Sequence, residues 1–295
     1  MVIHQKLKLL KTKLVKSVRL SNKCIRKGIA MEKLKINNLD IELNINVIGK
    51  FLDKIEYPIL IFDFETFRNL LHKKKNNSYA HDFEKIFSIA LLIINKKEDL
   101  SVSNLQNKKL HLFVKTVIPQ PNILSEDLKL VKHQQQFFKF LTNKLLKHNI
   151  KSLILLGART EILMLKNYLS YHNDESKFKN KVSYFFQKHK IFDLYDIWNN
   201  DQVLNLPLYK KGLHLDVGAT KKTSILIKNN NDYCKILKEQ FSLTNNNIGR
   251  IIDQYFFNNI CLLPSFTMQV ANHNQNDVLI GAAILSLLYT FCDKY

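Results

Sequence analysis

Two carboxylates separated by a single residue, Asp63 and Glu65, close the apolar run Tyr57-Pro-Ile-Leu-Ile-Phe-Asp-Phe-Glu-Thr66. The run is rich in β-branched and aromatic residues and predicts a strand. Alternate side chains of a strand share a face, so Asp63 and Glu65 project together while Phe62 and Phe64 project from the other side. Two like charges on one face, flanked by apolar residues, repel unless a cation lies between them. A pair of hard divalent ions, Mg²⁺ or Mn²⁺, suits oxygen-only ligands and keeps water available for chemistry. The plain alternative is an acid solvated at a strand edge, and an isolated D-x-E pattern does not choose between the two.

The elements that must position this pair can be read outward from it. Apolar runs at residues 86–95 and 110–118 predict two further strands, and three consecutive strands predict an antiparallel meander. Residues 125–147 carry apolar positions at helical spacing, with Leu128, Val131, Phe137, Phe140, Leu141 and Leu145 among them. Lys151-Ser-Leu-Ile-Leu-Leu156 reads as a buried strand, 157–160 as a turn and 161–171 as a helix. A short strand at 190–194 leads into 195–198. Residues 199–240 read as an insertion, and 241–257 as a helix with Thr244 as its cap. Asn276 and Asp277 are expected to open a last, strongly apolar helix that ends near Phe291. The fold class is therefore α/β.

Ile59-Leu-Ile-Phe-Asp-Phe-Glu-Thr66 resembles the first motif of the DnaQ-like 3′-5′ exonucleases, the DEDD superfamily, in which a hydrophobic strand ends in D-x-E-T. The resemblance extends over roughly residues 57–290 and implies a ribonuclease-H-like fold, a mixed sheet whose first three strands are antiparallel. It also implies two further motifs. Leu153-Ile-Leu-Leu-Gly-Ala-Arg-Thr-Glu161, a strand followed by a helix, has the layout of the second, with Glu161 standing where the family more often has Asp. Asp193 or Asp196, in Phe192-Asp-Leu-Tyr-Asp-Ile197, is the alternative third acid. Asn272-His-Asn-Gln-Asn-Asp277 resembles the third motif. Three residues lie between His273 and Asp277, the spacing of members that use Tyr, whereas His-containing members have four.

The resemblance implies a two-metal hydrolysis of the terminal phosphodiester at a nucleic-acid 3′ end. Asp63, Glu65, Glu161 and Asp277 are then the metal ligands and His273 the general base, its ordinary pKa near 6.5 suiting proton transfer at neutral pH. Asp277 in a helix's first turn would be kept ionised by the backbone amides. Thr66 and Phe67 are expected to meet the terminal nucleotide, and Lys73, Lys74 and Lys75 its backbone. The expected partners are DNA or RNA with a 3′ end, and polymerase, repair or RNA-processing machinery. The rival reading is a catalytically inactive nucleic-acid-binding protein on the same fold. A third is a basic scaffold in which the four acids do not converge.

The 295 residues hold 45 Lys+Arg against 25 Asp+Glu, a formal charge of +20. Only five of the basic residues are Arg and there are 31 Asn, a bias that an A+T-rich genome produces without selection for binding. The distribution is uneven, however: residues 1–50 carry 12 basic and three acidic residues, and residues 251–295 one basic and three acidic. Residues 1–30 alternate lysines with Ile3, Leu7, Leu10, Leu14 and Val18 at helical steps, predicting a basic amphipathic helix that lies along phosphates, docks on an anionic membrane or packs on the protein. The chain therefore divides into a basic extension and connector, 1–50, and a catalytic domain, 51–295. An apolar fraction of 46% excludes wholesale disorder. The longest nearly apolar run, residues 278–291, falls short of the roughly 20 residues that a bilayer requires, so no integral membrane association is expected. Lysines interrupt every apolar stretch before Ile29, which predicts a cytoplasmic protein rather than a secreted one. Cys24, Cys234, Cys261 and Cys292 have no C-x-x-C spacing and suggest neither a zinc knuckle nor a disulfide framework.

Overall fold

The computed structural model describes residues 31–36, 39–68, 84–107, 110–121, 127–157, 159–171, 176–210, 213–215, 218–228, 230–237, 248, 251–252, 254–256, 261–262 and 265–293. The expected basic helix at 1–30, the Lys73–Lys75 loop and Thr244 lie outside them. In chain order, strands β1 (Glu32–Ile36) and β2 (Leu39–Leu43) form an antiparallel hairpin and lead into α1 (Ile45–Leu52). The side-chain oxygen of Asn44 caps α1 by accepting from the Val47 N–H at 3.2 Å. Ile41, Leu43 and Ile48 are fully buried in the main core, so the segment read as a connector is part of the globular body.

Strands β3 (Ile59–Arg68) and β4 (Glu84–Ile94), the short helix α2 (Val102–Gln106) and β5 (His111–Thr116) follow. Then come α3 (Asp127–Lys147), β6 (Ser152–Leu155), α4 (Arg159–Tyr171), α5 (Ser176–Gln187) and β7 (Ile191–Asp193). The sheet order is β5-β4-β3-β6-β7. β3, β4 and β5 are an antiparallel meander, whereas β6 joins β3, and β7 joins β6, in parallel. The α/β class and the meander are thus present in a mixed five-stranded sheet.

Alternation along β3 separates two cores. Leu60, Phe62 and Phe64 pack with Ile89, Leu91 and Ile93 of β4 beneath α3, α4 and α5, through Phe137, Leu141, Leu165, Val182 and Phe185. Ile59 and Ile61 point the other way, with Ala90, Leu92 and Ile94, toward the last helix. The register slips beside Glu65, which faces Ser88 while the next residue, Thr66, faces Ile86. The residue skipped on β4 makes a bulge, which bends a strand and re-aims its side chains. The Gln134 side chain bonds both backbone groups of Ile86, accepting from its N–H at 2.8 Å and donating to its carbonyl at 3.0 Å.

The chain continues through α6 (Tyr195–Trp198) and β8 (Leu204–Asn205), which pairs with β2. A hairpin of β9 (Leu208–Lys210) and β10 (Leu213–Leu215) precedes α7 (Ala219–Thr223), which runs into a wider turn, Ser224–Lys228. The region expected to be an insertion therefore feeds the main core with Val203, Leu204, Leu206, Leu226 and Ile227. Lys222 anchors it: fully buried, its ammonium donates to the carbonyls of Trp198 at 3.2 Å and Leu204 at 2.7 Å and to Asp201 at 2.6 Å. A buried cation persists only with such compensation.

The last helix, α8 (Phe266–Asp293), has 28 residues and starts 11 residues before the Asp277 that was expected to open it. By length and composition it could cross a bilayer; 67% of its most apolar 18-residue window is buried within the protein. Its apolar surface lies on the sheet, in the core that holds Ile59 and Ile61.

Candidate active site

β3 has ten residues and β6 only four, and their parallel pairing ends at Ile61 opposite Ile154. Asp63 and Glu65 lie past that point, beyond the carboxyl end of β6. Ligands of open α/β sheets bind in this place, because strands stop there and loops diverge.

α8 crosses the same face antiparallel to β3. An added Cβ on Gly281 would lie 3.0 Å from Ile61 Cγ2, so the missing side chain lets the helix rest directly on the strand. Four residues of helix rise about 6 Å, and two residues of strand about 6.7 Å. Steps from Gly281 to Asp277 to His273 therefore keep pace with steps from Ile61 to Asp63 to Glu65. His273 Nε2 accordingly lies 3.5 Å from Glu65 Oε1 and 3.4 Å from Asp277 Oδ2. One ligand atom from each of these three residues falls within 4.8 Å of the others.

This geometry revises two expectations. Asp277 is not in a first turn, so the helix N-terminus does not keep it ionised. His273, expected to precede the helix that Asn276 and Asp277 open, shares one helix with Asp277. Three intervening residues are what a continuous helix requires, since positions i and i+4 lie one above the other while i and i+5 diverge.

Glu161 comes to the site from the opposite layer. It occupies the first turn of α4 and is 7% exposed. The turn before it requires Gly157, at φ +86°, where a side chain would be strained and would also approach the Tyr195 ring at 3.2 Å. Asp193 Oδ1 holds this turn, accepting from the Gly157 N–H at 2.9 Å and the Tyr195 N–H at 3.0 Å. That role ties the β6–α4 and β7–α6 corners together. Asp196 is exposed, its carboxyl lifted to about 6 by partial burial and then by Asp193.

The carboxylates act on one another. Burial pushes Asp63 well above the usual carboxylate range, and the charges of Asp277, Glu161 and Glu65 add to it, against a single backbone N–H bond at Phe64. Burial, Asp277 and Glu161 lift Glu65 to about 8. Asp277 is also raised by burial, while His273 and Lys228 oppose the shift. The four acids therefore share one electrostatic environment. The carboxylate oxygens of Glu65 and Asp277 are hard donors that fit Mg²⁺ or Mn²⁺, and the softer imidazole nitrogen of His273 lies beside them.

Thr66 follows the bulge, half-buried beside the acids. Phe67 is 2% exposed and stacked on Phe256 at 4.5 Å in a third core cluster, so its ring serves packing rather than a base. The sequence reading missed two neighbours. Burial raises the phenol of Tyr195, and Asp277, Asp193 and Asp63 raise it further. Lys228 projects from the wide turn within electrostatic reach of Asp277. Tyr195 lies in the Phe192–Ile197 segment, read for its acids alone, and the place of Lys228 depends on how a segment read as an insertion packs.

No protein-family model matches this chain, and no curated protein or solved structure matches it either.

Proposed function

We propose that this chain is a metal-dependent nuclease that removes nucleotides from the 3′ end of DNA or RNA, on a ribonuclease-H-like fold. The observation that carries the reading is the meeting of Glu65 with His273 and Asp277, at 3.5 and 3.4 Å from one imidazole nitrogen, inside the electrostatic field of Asp63 and Glu161. These five residues come from three separate stretches of sequence. The mixed sheet with its leading antiparallel meander supports the fold assignment. The 3′ polarity rests on the resemblance of Asp63-Phe-Glu-Thr66 to the DnaQ-like motif.

Asp63, Glu65, Glu161 and Asp277 are the residues that would hold two divalent ions. Such ions, when bound, acidify water and neutralise charge on the phosphodiester. His273 Nε2 takes the proton of the attacking water as the new oxygen–phosphorus bond forms and the bond to the leaving 3′ oxygen breaks; solvent supplies the proton for that oxygen. The resulting imidazolium lies between the Glu65 and Asp277 carboxylates. Tyr195 borders the site from the β7–α6 corner, and Lys228, within electrostatic reach of Asp277, offers a cation to a substrate phosphate.

The test is Mn²⁺- or Mg²⁺-dependent release of mononucleotides from 5′-labelled single-stranded DNA and RNA, with Asp63→Ala alongside. Stepwise shortening from the 3′ end by the wild type alone is expected. Equal release by the variant would contradict the assignment, and release from neither substrate would favour the non-catalytic binding protein.

A further inference from the structure

A second concentration of charge lies on the other face of the sheet, at its opposite end. β5 is an edge strand, and its His111 stands opposite Ile93 of β4, five residues from the Ser88 that faces Glu65. That separation is about 17 Å along the strand. His111 and Phe113 share a face of β5, their rings nearly parallel at 9° and 6.4 Å apart. Lys144, near the end of α3, places its ammonium 3.4 Å from the centre of the Phe113 ring, a cation–π contact that fixes the side chain. Lys147 is exposed in the same last turn, and the His148 ring lies 5.6 Å from His111 and 6.1 Å from Phe113.

One ammonium group and two imidazoles thus gather around the Phe113 ring, with the exposed Lys147 within electrostatic reach of His148. Among the described residues no ion pair joins Lys144, Lys147, His111 or His148 to a carboxylate, and the buried His148 Nε2 makes no hydrogen bond. Helix α3 itself carries five Lys and one Asp. Burial and the neighbouring positive groups push His148 and Lys144 below their ordinary values, so the cluster is under electrostatic tension that an anion relieves.

We propose that this corner binds the phosphate backbone of a nucleic-acid strand, as a contact separate from the acid cluster. The choice of nucleic acid as the polyanion rests on the nuclease reading. A phosphodiester strand matches the arrangement because the Lys144 and Lys147 ammonium groups at one helix end offer charge to its phosphates, while the rings of His111, Phe113 and His148 lie beside them for its bases.

The experiment is fluorescence anisotropy of the full chain with labelled oligothymidylate of about 20 nucleotides, in chelator, across a salt series. Lys144→Gln/Lys147→Gln is expected to weaken binding about five- to tenfold near 100 mM NaCl and to reduce the log–log salt slope by about 1.4, or about 0.7 per lost phosphate contact. The exposed Lys147→Gln alone should remove about half of that slope change, which covers the case in which loss of the Lys144 contact perturbs the fold. Lys50→Gln/Lys235→Gln removes the same net charge from exposed positions elsewhere and should change affinity less than about twofold. Equal weakening in both pairs, or none in the first, would overturn the proposal. So would loss of binding to phosphatidylserine vesicles with oligonucleotide binding intact. Because chelator prevents metal-dependent cleavage, a chain that binds through this corner but releases no nucleotide with Mn²⁺ refutes the nuclease reading alone.

Discussion

The acid cluster and the α3–β5 corner are both collections of like charge, but they are built differently. At the first, residues from β3, α4 and α8 are brought together under cover, and Asp63, Glu65 and Asp277 all resist ionisation. At the second, the exposed Lys147 and His111 and the half-buried Lys144 and His148 lie at one helix end and one edge strand. Burial makes the difference. Coulomb repulsion between buried groups is strong and demands a compact counter-charge, such as a metal ion, whereas solvated charges repel weakly and suit an extended polyanion. The first site is expected to respond steeply to single substitutions and the second in small, salt-dependent steps.

The largest effects should come from the acids. Asp63→Ala or Asp277→Ala is expected to reduce metal-dependent nucleotide release by about a thousandfold or more, measured in single-turnover assays on folded protein. His273→Ala should lose about 10²–10⁴-fold, since a general base contributes in that range. A less direct break targets the alignment of helix and strand. Gly281→Val places atoms against Ile61 and should destabilise the chain by about 1–3 kcal/mol in urea unfolding. It should also slow release by about tenfold or more, because displacing Asp277 and His273 by a fraction of an ångström spoils the site.

A smaller effect sharpens the electrostatic contrast. The folded-state pKa of Glu65 is raised to about 8 from an ordinary value of 4.5, so the folded chain binds more protons than the unfolded one between these limits. The stability of the metal-free protein should therefore be greatest below about 4.5, as far as this group is concerned, and be lost as pH rises through about 8. Thermal melts in chelator should show the decline, Mn²⁺ should reverse it, and Glu65→Gln should flatten it while raising the Tm above pH 7 by a few degrees. The smallest effect is expected at the basic corner, where the exposed Lys147→Gln leaves the Tm and its pH dependence nearly unchanged.

The strand bearing Asp63 and Glu65, the meander and the β6–α4 step to Glu161 were legible because each has a strong pattern over several residues. The start of α8 was not. Thr267-Met-Gln-Val-Ala-Asn-His-Asn-Gln-Asn276 carries three Asn and a His, residues that compete with helix formation through local hydrogen bonds, and reads as a loop. Packing overrides that preference: Phe266 and Val270 are buried beside Phe67 and Phe256, which extends the helix to Phe266. The same misreading hid why three residues separate His273 from Asp277. Residues 199–228 were obscure for another reason, because strands of two or three residues show no alternation. Their place is set by distant partners, such as β2 for β8 and Trp198 for Lys222.

Calorimetric titration with Mn²⁺ reads whether the matched steps of helix and strand assemble one metal-binding acid cluster. The full chain should bind Mn²⁺ near pH 8, and Asp277→Asn, with its fold verified by a cooperative melt, should lose about tenfold or more in affinity. Equal affinity in the two proteins, or no binding by the wild type, would mean that the acids do not form a metal site.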